Sequence, residues 1–170
     1  VIYGPDRGLV SERAGLLAGK SGVALDDPFS LTKLDIGDLQ KDPGRLVDEV
    51  QSIGLFGGEK LIWIRGAANE KYLVDSLALL AEKPLEAAYL IVEAGDLKKG
   101  SLLRKTAEAA RSVMTIPSYA DDSRALNTLI DTELGAEKLG ITPAARQALI
   151  ALIGGDRIAS RNEVRKLALY

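Results

Sequence analysis

The chain has 170 residues, of which 46% are hydrophobic and 27% are charged, and its formal net charge is −2. This is the composition of a globular protein with a sizeable core, and it excludes a strongly basic nucleic-acid-binding surface over the whole chain. Neither cysteine nor histidine occurs, which excludes disulfides, thiolate zinc sites and nucleophiles activated by histidine.

Short apolar runs alternate with longer amphipathic stretches from the first residue to Pro117. Strands are predicted at residues 1–3, 31–35, 61–64, 89–92 and 112–116. Helices are predicted at residues 9–18, 70–83 and 101–111, with a further helix that starts at Asp42-Pro43. Strands and helices that alternate in this way indicate a parallel sheet with right-handed crossovers, and therefore a three-layer α/β domain.

The pattern changes after Pro117, because only helical periodicity remains. It falls into three stretches separated by Gly140 and by Gly154-Gly155. Thr142 is suited to cap the second of these helices with Pro143 next to it, and Asp156 to cap the third. We therefore predict an α/β domain at residues 1–118 and a small helical domain at residues 119–170. Since the chain begins inside an apolar run and ends inside a helical pattern, we expect it to be a piece of a longer protein.

The turn after the first strand is where a P-loop protein would bind phosphate. Phosphate binding there needs glycines, a lysine for the outer phosphates and a hydroxyl for magnesium. The stretch from Gly4 to Gly8 lacks the Lys-Ser/Thr pair, which favours a plain turn without an ATP site. Gly19-Lys20-Ser21 has the right residue types but follows a helix, so it predicts a helix end with Gly19 and Gly22.

Two groups of basic residues have two interpretations each. They are either a solvated helix face or a surface that contacts phosphate groups, of nucleic acid or of a nucleotide. The first group follows the fourth strand and its Asp96, and contains Lys98, Lys99, Arg104 and Lys105. The second lies near the end of the chain and contains Arg157, Arg161, Arg165 and Lys166.

The most informative segment is residues 52–60, which connects a helix to a buried strand. Loops are normally polar, but this one contains Leu55-Phe56 bracketed by glycines. A bulky apolar pair on a loop either folds back into the core or contacts a partner. The residues alone leave both interpretations open.

At this point the chain resembles the delta subunit of the bacterial DNA polymerase III clamp loader. The resemblance covers essentially the whole chain, and the Leu-Phe loop is its most specific part. The matching stretches are Val1-Ile2-Tyr3-Gly4-Pro5-Asp6, Asp42-Pro43 leading into Ile53-Gly54-Leu55-Phe56-Gly57-Gly58, Lys60-Leu61-Ile62-Trp63-Ile64-Arg65, and Gly154-Gly155-Asp156-Arg157 with Glu163-Val164-Arg165-Lys166-Leu167.

The resemblance implies an AAA+-like domain that has lost ATP binding, followed by a helical lid domain. It implies a C-terminal helical collar domain, which this chain does not include. It also implies a cytoplasmic protein without cofactor, metal or catalysis of its own, which belongs to a DNA polymerase complex.

The partners implied by the resemblance are the sliding clamp, the other loader subunits and DNA within the assembled loader. The subunit would bind and open the clamp with an apolar wedge that matches Leu55 and Phe56, supported by Ile53 and Gly54. Lys98, Lys99, Arg104 and Lys105 are candidates for contacts with DNA or other subunits.

Two other functions are alternatives to the clamp-loader role. An active AAA+ or P-loop NTPase would need the Lys-Ser/Thr pair that is missing after Gly8. A stand-alone DNA-binding domain would be expected to have a basic and aromatic stripe, whereas this chain is slightly acidic. No apolar run approaches the length of a membrane span, so no membrane partner is expected.

Overall fold

The computed structural model describes residues 1–52, 58–83, 85, 87–119, 123–154 and 157–169. The strands in this part of the chain are β1 (Ile2–Tyr3), β2 (Leu31–Asp35), β3 (Lys60–Ala67), β4 (Ala88–Ala94) and β5 (Ile116–Pro117). The helices are α1 (Arg7–Lys20), α2 (Ile36–Lys41), α3 (Arg45–Gln51), α4 (Lys71–Ala81), α5 (Leu102–Ala109), α6 (Ser123–Ala136), α7 (Pro143–Leu152) and α8 (Arg157–Leu167).

The strands form one five-stranded sheet in the order β2-β3-β4-β1-β5. Every neighbouring pair is parallel. The first strand therefore lies inside the sheet, between the fourth and the fifth. Because strands in a parallel sheet run the same way, the turns that follow them share one edge and the loops that precede them share the other. We call these the carboxyl edge and the amino edge.

Alternate residues of the strands pack against different layers of helices. Ile2, Leu61 and Ile91 belong to one apolar cluster with Val10, Ala14 and Ala18 of α1. Their neighbours in sequence, Tyr3, Ile62 and Val92, belong to a second cluster with residues of α2, α3, α4 and α5. Since successive strand residues point to opposite faces, the sheet is covered on both sides. This confirms the predicted three-layer α/β fold.

The three helices α6, α7 and α8, which we call the helical segment, have an apolar cluster of their own. Its buried members are Ile130, Leu134 and Val164. The predicted N-cap of α7 is confirmed, since the Thr142 hydroxyl accepts a hydrogen bond from the Ala145 N–H and Pro143 is the first helical residue. Asp156, the predicted cap of α8, lies outside the described residues. The division into two domains near residue 118 stays a prediction.

The helix predicted to start at Asp42-Pro43 was placed wrongly, and a short helix before it was missed. The Asp42 N–H bonds to the carbonyl of Asp38, so Asp42 ends α2. The following helix, α3, begins only at Arg45. The missed helix has a local signal, because the Asp38 carboxyl oxygen accepts a hydrogen bond from the Asp35 N–H at 3.1 Å.

Two further boundaries differ from the prediction. The fifth strand was predicted at 112–116 but is formed only by Ile116–Pro117, because Val113 is still hydrogen-bonded to Ala110 in the turn that leaves α5. Gly19 lies inside α1 instead of ending it. Gly22 follows the helix with a φ of +81°, as expected for a glycine just beyond a helix end.

Within the described residues, no helix is both long enough and apolar enough to span a membrane.

Candidate functional sites at opposite edges of the sheet

The first candidate site is the turn between β1 and α1, at the carboxyl edge. Asp6 caps α1, and its carboxyl oxygen accepts a hydrogen bond from the Leu9 N–H at 2.9 Å. The Asp6 residue is only 3% exposed. An anion bound at a helix N-terminus uses the free N–H groups there. In this turn the chain's own carboxylate already uses one of them and places a negative charge beside the rest.

The segment that follows β5 packs against the side of the same turn. A Cβ atom added to Gly4 would lie 1.8 Å from the Ser118 carbonyl oxygen, so the two backbones are in direct contact. Arg13 of α1 bridges to this segment, donating to the Pro117 carbonyl and, at 3.1 Å, to the Ser118 hydroxyl. The backbone beside this turn is thus closely packed, and the side chains of Asp6 and Arg13 are already paired there.

The basic residues after β4 lie at this same carboxyl edge, but they do not share one environment. Lys98, Lys99 and Lys105 are exposed. The side chain of Arg104 is only 13% exposed. The three lysines are therefore accessible to a phosphate group, whereas Arg104 is largely covered.

Arg104 is held by contacts within the protein. Its guanidinium group lies 5.0 Å from the centre of the Tyr3 ring and donates to Glu108 at 2.7 Å. A further hydrogen bond of 3.3 Å reaches the Leu97 carbonyl. The hydrogen bond to Glu108 raises the pKa of Arg104, and burial raises the pKa of Tyr3. Arg104 thus connects α5 to the end of β1.

The second candidate site is the loop that precedes β3, at the amino edge. The predicted wedge residues Leu55 and Phe56, with Ile53 and Gly54, lie outside the described residues. What the structure does describe is the pair of chain ends from which this loop starts, residues 49–52 and 58–60. We call this pair the stem of the loop.

Lys60 ties the two sides of the stem together. Its ammonium group donates to the Glu49 carboxylate at 2.6 Å and to the Ser52 hydroxyl at 2.9 Å. The Lys60 side chain is 13% exposed and that of Glu49 is 25% exposed. On the other side of β3, the Tyr89 hydroxyl donates to Glu59 at 3.1 Å. The end of α3 and the start of β3 are therefore fixed relative to each other.

A neighbouring loop at the amino edge presents an exposed aromatic side chain that the sequence analysis did not single out. Phe29 is 65% exposed and lies in the loop before β2. Asp27 organises this loop, since its carboxylate accepts hydrogen bonds from the Phe29 N–H and the Ser30 hydroxyl. The Leu61 N–H donates to the Ser30 carbonyl at 2.8 Å, which joins this loop to the start of β3. In the sequence, this exposed position could have been found from Phe29, an aromatic residue within a run of turn-forming residues.

A cavity of about 570 Å³ also opens at the amino edge. Its lining is mainly aliphatic and includes Leu80 and Met114, with Lys20 and Lys83 as the charged residues. Among the described residues, no three or more carboxylate side chains come together in a way that could hold a metal ion. The cavity therefore offers mainly apolar contact surface.

The chain was compared with known proteins at the levels of sequence and structure. Neither a protein-family model nor a curated protein sequence matches it. Solved structures do match. The Bacillus subtilis DNA clamp loader delta protein superimposes with a TM-score of 0.67 at 16% sequence identity, over 99% of this chain and 52% of that one.

A second match is a DNA polymerase III gamma subunit-related protein from Thermotoga maritima. Its TM-score is 0.55 at 13% identity, over 98% of this chain and 52% of that protein. This chain thus spans about half the length of both matching proteins. The resemblance found in the sequence is confirmed at the level of the fold, since the chain shares the fold of these two proteins along nearly its entire length.

Proposed function

We propose that this chain is the AAA+-like and helical lid portion of a clamp-loader subunit, and that the subunit binds and opens a ring-shaped sliding clamp. The observation behind the proposal is that 99% of the chain superimposes on a clamp loader delta protein. The residue pattern of the Leu-Phe loop points independently to the same family. The proposed role is that of a binding subunit within a DNA polymerase complex.

The β1–α1 turn supports a subunit that does not use ATP itself. The Ser118 backbone lies directly against Gly4, so the start of this turn is closely packed. A bound triphosphate would also meet the Asp6 carboxylate at the helix N-terminus, where a phosphate would otherwise be favoured. The sequence offers no lysine in this turn to offset that charge. ATP-driven motion would then come from other subunits of the loader.

In this proposal the clamp is bound by Leu55 and Phe56, with Ile53 and Gly54 supporting them. The stem supports the assignment because a loop whose ends are fixed loses less conformational freedom when it binds. Burying both side chains in an apolar pocket would contribute roughly 3–6 kcal/mol before ordering costs. Binding can open the ring only to the extent that it favours the open clamp over the closed one.

The remaining partners follow from the same role. We propose that Lys98, Lys99 and Lys105, which are exposed at the carboxyl edge, contact DNA or neighbouring subunits. Arg104 was grouped with them from the sequence, and its covered position on Tyr3 makes it the weakest member of that group. We further propose that residues 1–118 and 119–170 are separate domains, since their apolar clusters are distinct in the described residues.

The experiment that tests the proposal compares clamp binding by the parent chain and by the Leu55→Ala/Phe56→Ala variant. The ligand is the sliding clamp of the same organism, titrated calorimetrically. We expect the affinity to fall by roughly a hundredfold to ten-thousandfold, which corresponds to 3–6 kcal/mol, while the melting temperature stays nearly constant.

The matched control is Leu152→Ala, because Leu152 is also an apolar side chain and is 84% exposed on α7. It should change neither clamp affinity nor melting temperature. A double variant that melts much earlier would mean that Leu55 and Phe56 belong to the core. A variant that binds the clamp as well as the parent would disprove the wedge.

A further inference from the structure

The helical segment and the sheet are joined by an ionic bridge centred on Arg161 of α8. Its guanidinium group donates to the Glu133 carboxylate of α6 at 2.7 Å. The Nη2 atom of the same group lies 3.1 Å from the Glu12 carboxylate of α1. One arginine therefore contacts a carboxylate in the helical segment and another in the layer that covers the sheet.

The bridge is largely shielded from water. The exposed fractions of the side chains are 25% for Arg161, 15% for Glu12 and 11% for Glu133. Ion pairs in such surroundings are screened less by salt than exposed ones. The planar guanidinium group, with donors on several sides, is suited to hold two carboxylates at once. Arg161 is thus in a position to contribute more than an ordinary surface pair.

The apolar contacts are arranged differently from this ionic contact. Two apolar clusters consist of residues between 1 and 116. The third consists of residues between 130 and 168. In the part of the chain that the structure describes, no cluster combines residues from both. Each of these clusters therefore stabilises one part, while α8 packs against α1 between the two parts. The Arg161 bridge is a charged contact at that junction.

Arg165 provides an internal comparison one helical turn away. It also donates to the Glu133 carboxylate at 2.7 Å, but its side chain is 62% exposed. Its ion pair with Glu133 stays within the helical segment, between α8 and α6. Arg161 and Arg165 thus share a partner and a helix, and they differ in the contact with α1.

We propose that Arg161 is a latch that holds the helical segment against α1, and that breaking its contact with Glu12 lets the segment take other orientations relative to the sheet. The latch does not depend on the proposed clamp binding. It follows from an ion pair that crosses between two parts whose apolar clusters are separate. In such an arrangement a small loss of interaction energy shifts the population of orientations without unfolding either part.

The test measures the distance between the two parts directly. The chain has no cysteine, so spin labels can be attached at two introduced cysteines, Ala109→Cys in α5 and Gln147→Cys in α7, both at exposed positions. Pulsed electron paramagnetic resonance then gives the distance distribution in the whole chain. The parent should give one narrow distribution.

Arg161→Met keeps the aliphatic stem and removes the charge. It should raise the fraction of molecules in a second orientation by about tenfold. Glu12→Ala should also raise this fraction. The effect of the double variant should be smaller than the sum of the two single effects, since both changes remove the contact between Arg161 and Glu12. Arg165→Met is the matched control and should keep the narrow distribution.

Two outcomes would overturn the latch. Either Arg161→Met and Glu12→Ala keep the distribution of the parent, or Arg165→Met broadens it just as much. Circular dichroism checks that the helices remain folded. If Arg161→Met fails this check, Glu12→Ala still decides the question, because it leaves Glu133 paired with both arginines.

Discussion

The loops at the two edges of the sheet use the chain's own polar groups for different purposes. In the β1–α1 turn, Asp6 and the Ser118 backbone fill the place beside the helix N-terminus. In the loop before β3, Lys60 joins the two ends of the stem through Glu49 and Ser52. The first arrangement packs a turn closely, whereas the second fixes where a loop begins and ends.

This difference shows how two edges of one sheet are held by different internal contacts. Closing the carboxyl edge takes a glycine without room for a side chain and a carboxylate that caps a helix. Supporting the amino-edge loop takes a lysine that satisfies several acceptors at once. Both devices are internal contacts, and each can be removed by one substitution.

The largest effect is expected for Gly4→Ala, which tests how tightly the carboxyl edge is closed. The new Cβ atom would lie 1.8 Å from the Ser118 carbonyl oxygen, and a backbone atom cannot rotate away as a side chain can. We expect the free energy of unfolding to fall by about 3 kcal/mol, measured by urea denaturation.

Gly19→Ala is the matched control for this change. Gly19 lies in α1, and no atom lies within 4 Å of the position of an added Cβ atom. Alanine favours a helix more than glycine does, so stability should rise by about 0.5–1 kcal/mol. Equal and small effects of the two changes would show that the turn has room, and the contrast between the edges would be lost.

The next largest effect is expected for Lys60→Met, which removes the hydrogen bonds that join the two sides of the stem. It removes a largely covered ammonium group and leaves the Glu49 carboxylate without this partner. We expect a loss of about 1–3 kcal/mol in the free energy of unfolding. Clamp affinity should fall by about tenfold, because the loop must then be ordered on binding.

Lys71→Met serves as the control for Lys60→Met. The Lys71 side chain is 88% exposed in its pair with Asp75, so the change should stay within about 0.5 kcal/mol. If Lys60→Met lowered stability but left clamp affinity unchanged, the stem would not support the proposed binding loop.

A smaller effect is expected for Asp6→Ala, which removes the cap of α1. Stability should fall by about 1 kcal/mol, as for other N-cap residues. Titration with a fluorescent ATP analogue and magnesium should show no saturable binding below millimolar concentration, for the parent or the variant. Asp26→Ala, at an exposed position, controls for the loss of a carboxylate. Micromolar nucleotide affinity of the parent would contradict a closed carboxyl edge.

The smallest effect concerns pH and the loop that contains Phe29. The hydrogen bond from the Ser30 hydroxyl, followed by that from the Phe29 N–H, lowers the pKa of Asp27 from its ordinary value of 3.8. Because the pKa is lower in the folded state, the contribution of Asp27 to stability is fully present above the unfolded pKa. It is lost as the pH falls through the folded pKa.

Nuclear magnetic resonance can follow this titration through the Asp27 carboxyl carbon and the Phe29 amide. Both signals should change with a midpoint below 3.8, and Asp27→Asn should abolish the change at Phe29. The control, Asp26→Asn, should leave it intact. A midpoint at or above the ordinary value would mean that this turn is not formed in solution.

The class of fold and most of its elements follow from the residue pattern alone. Continuous apolar runs such as 61–64 and 89–92 are typical of strands covered on both faces, and the structure has β3 and β4 there. Thr142 with Pro143 predicted the start of α7 correctly. These features are local, because hydrophobic periodicity and caps depend on residues within a few positions of one another. The Leu-Phe loop was also singled out as a candidate binding loop from residues that are close together in the sequence.

The contacts between residues far apart in the sequence could not be predicted in this way. That β1 lies between β4 and β5 depends on pairings across about a hundred residues, which no local pattern encodes. The same holds for Arg104, which the charge pattern grouped with exposed lysines and which packs on the Tyr3 ring. The same is true of the contacts that Lys60 and Arg161 make. The partner of a charged side chain depends on which distant residues the fold brings next to it.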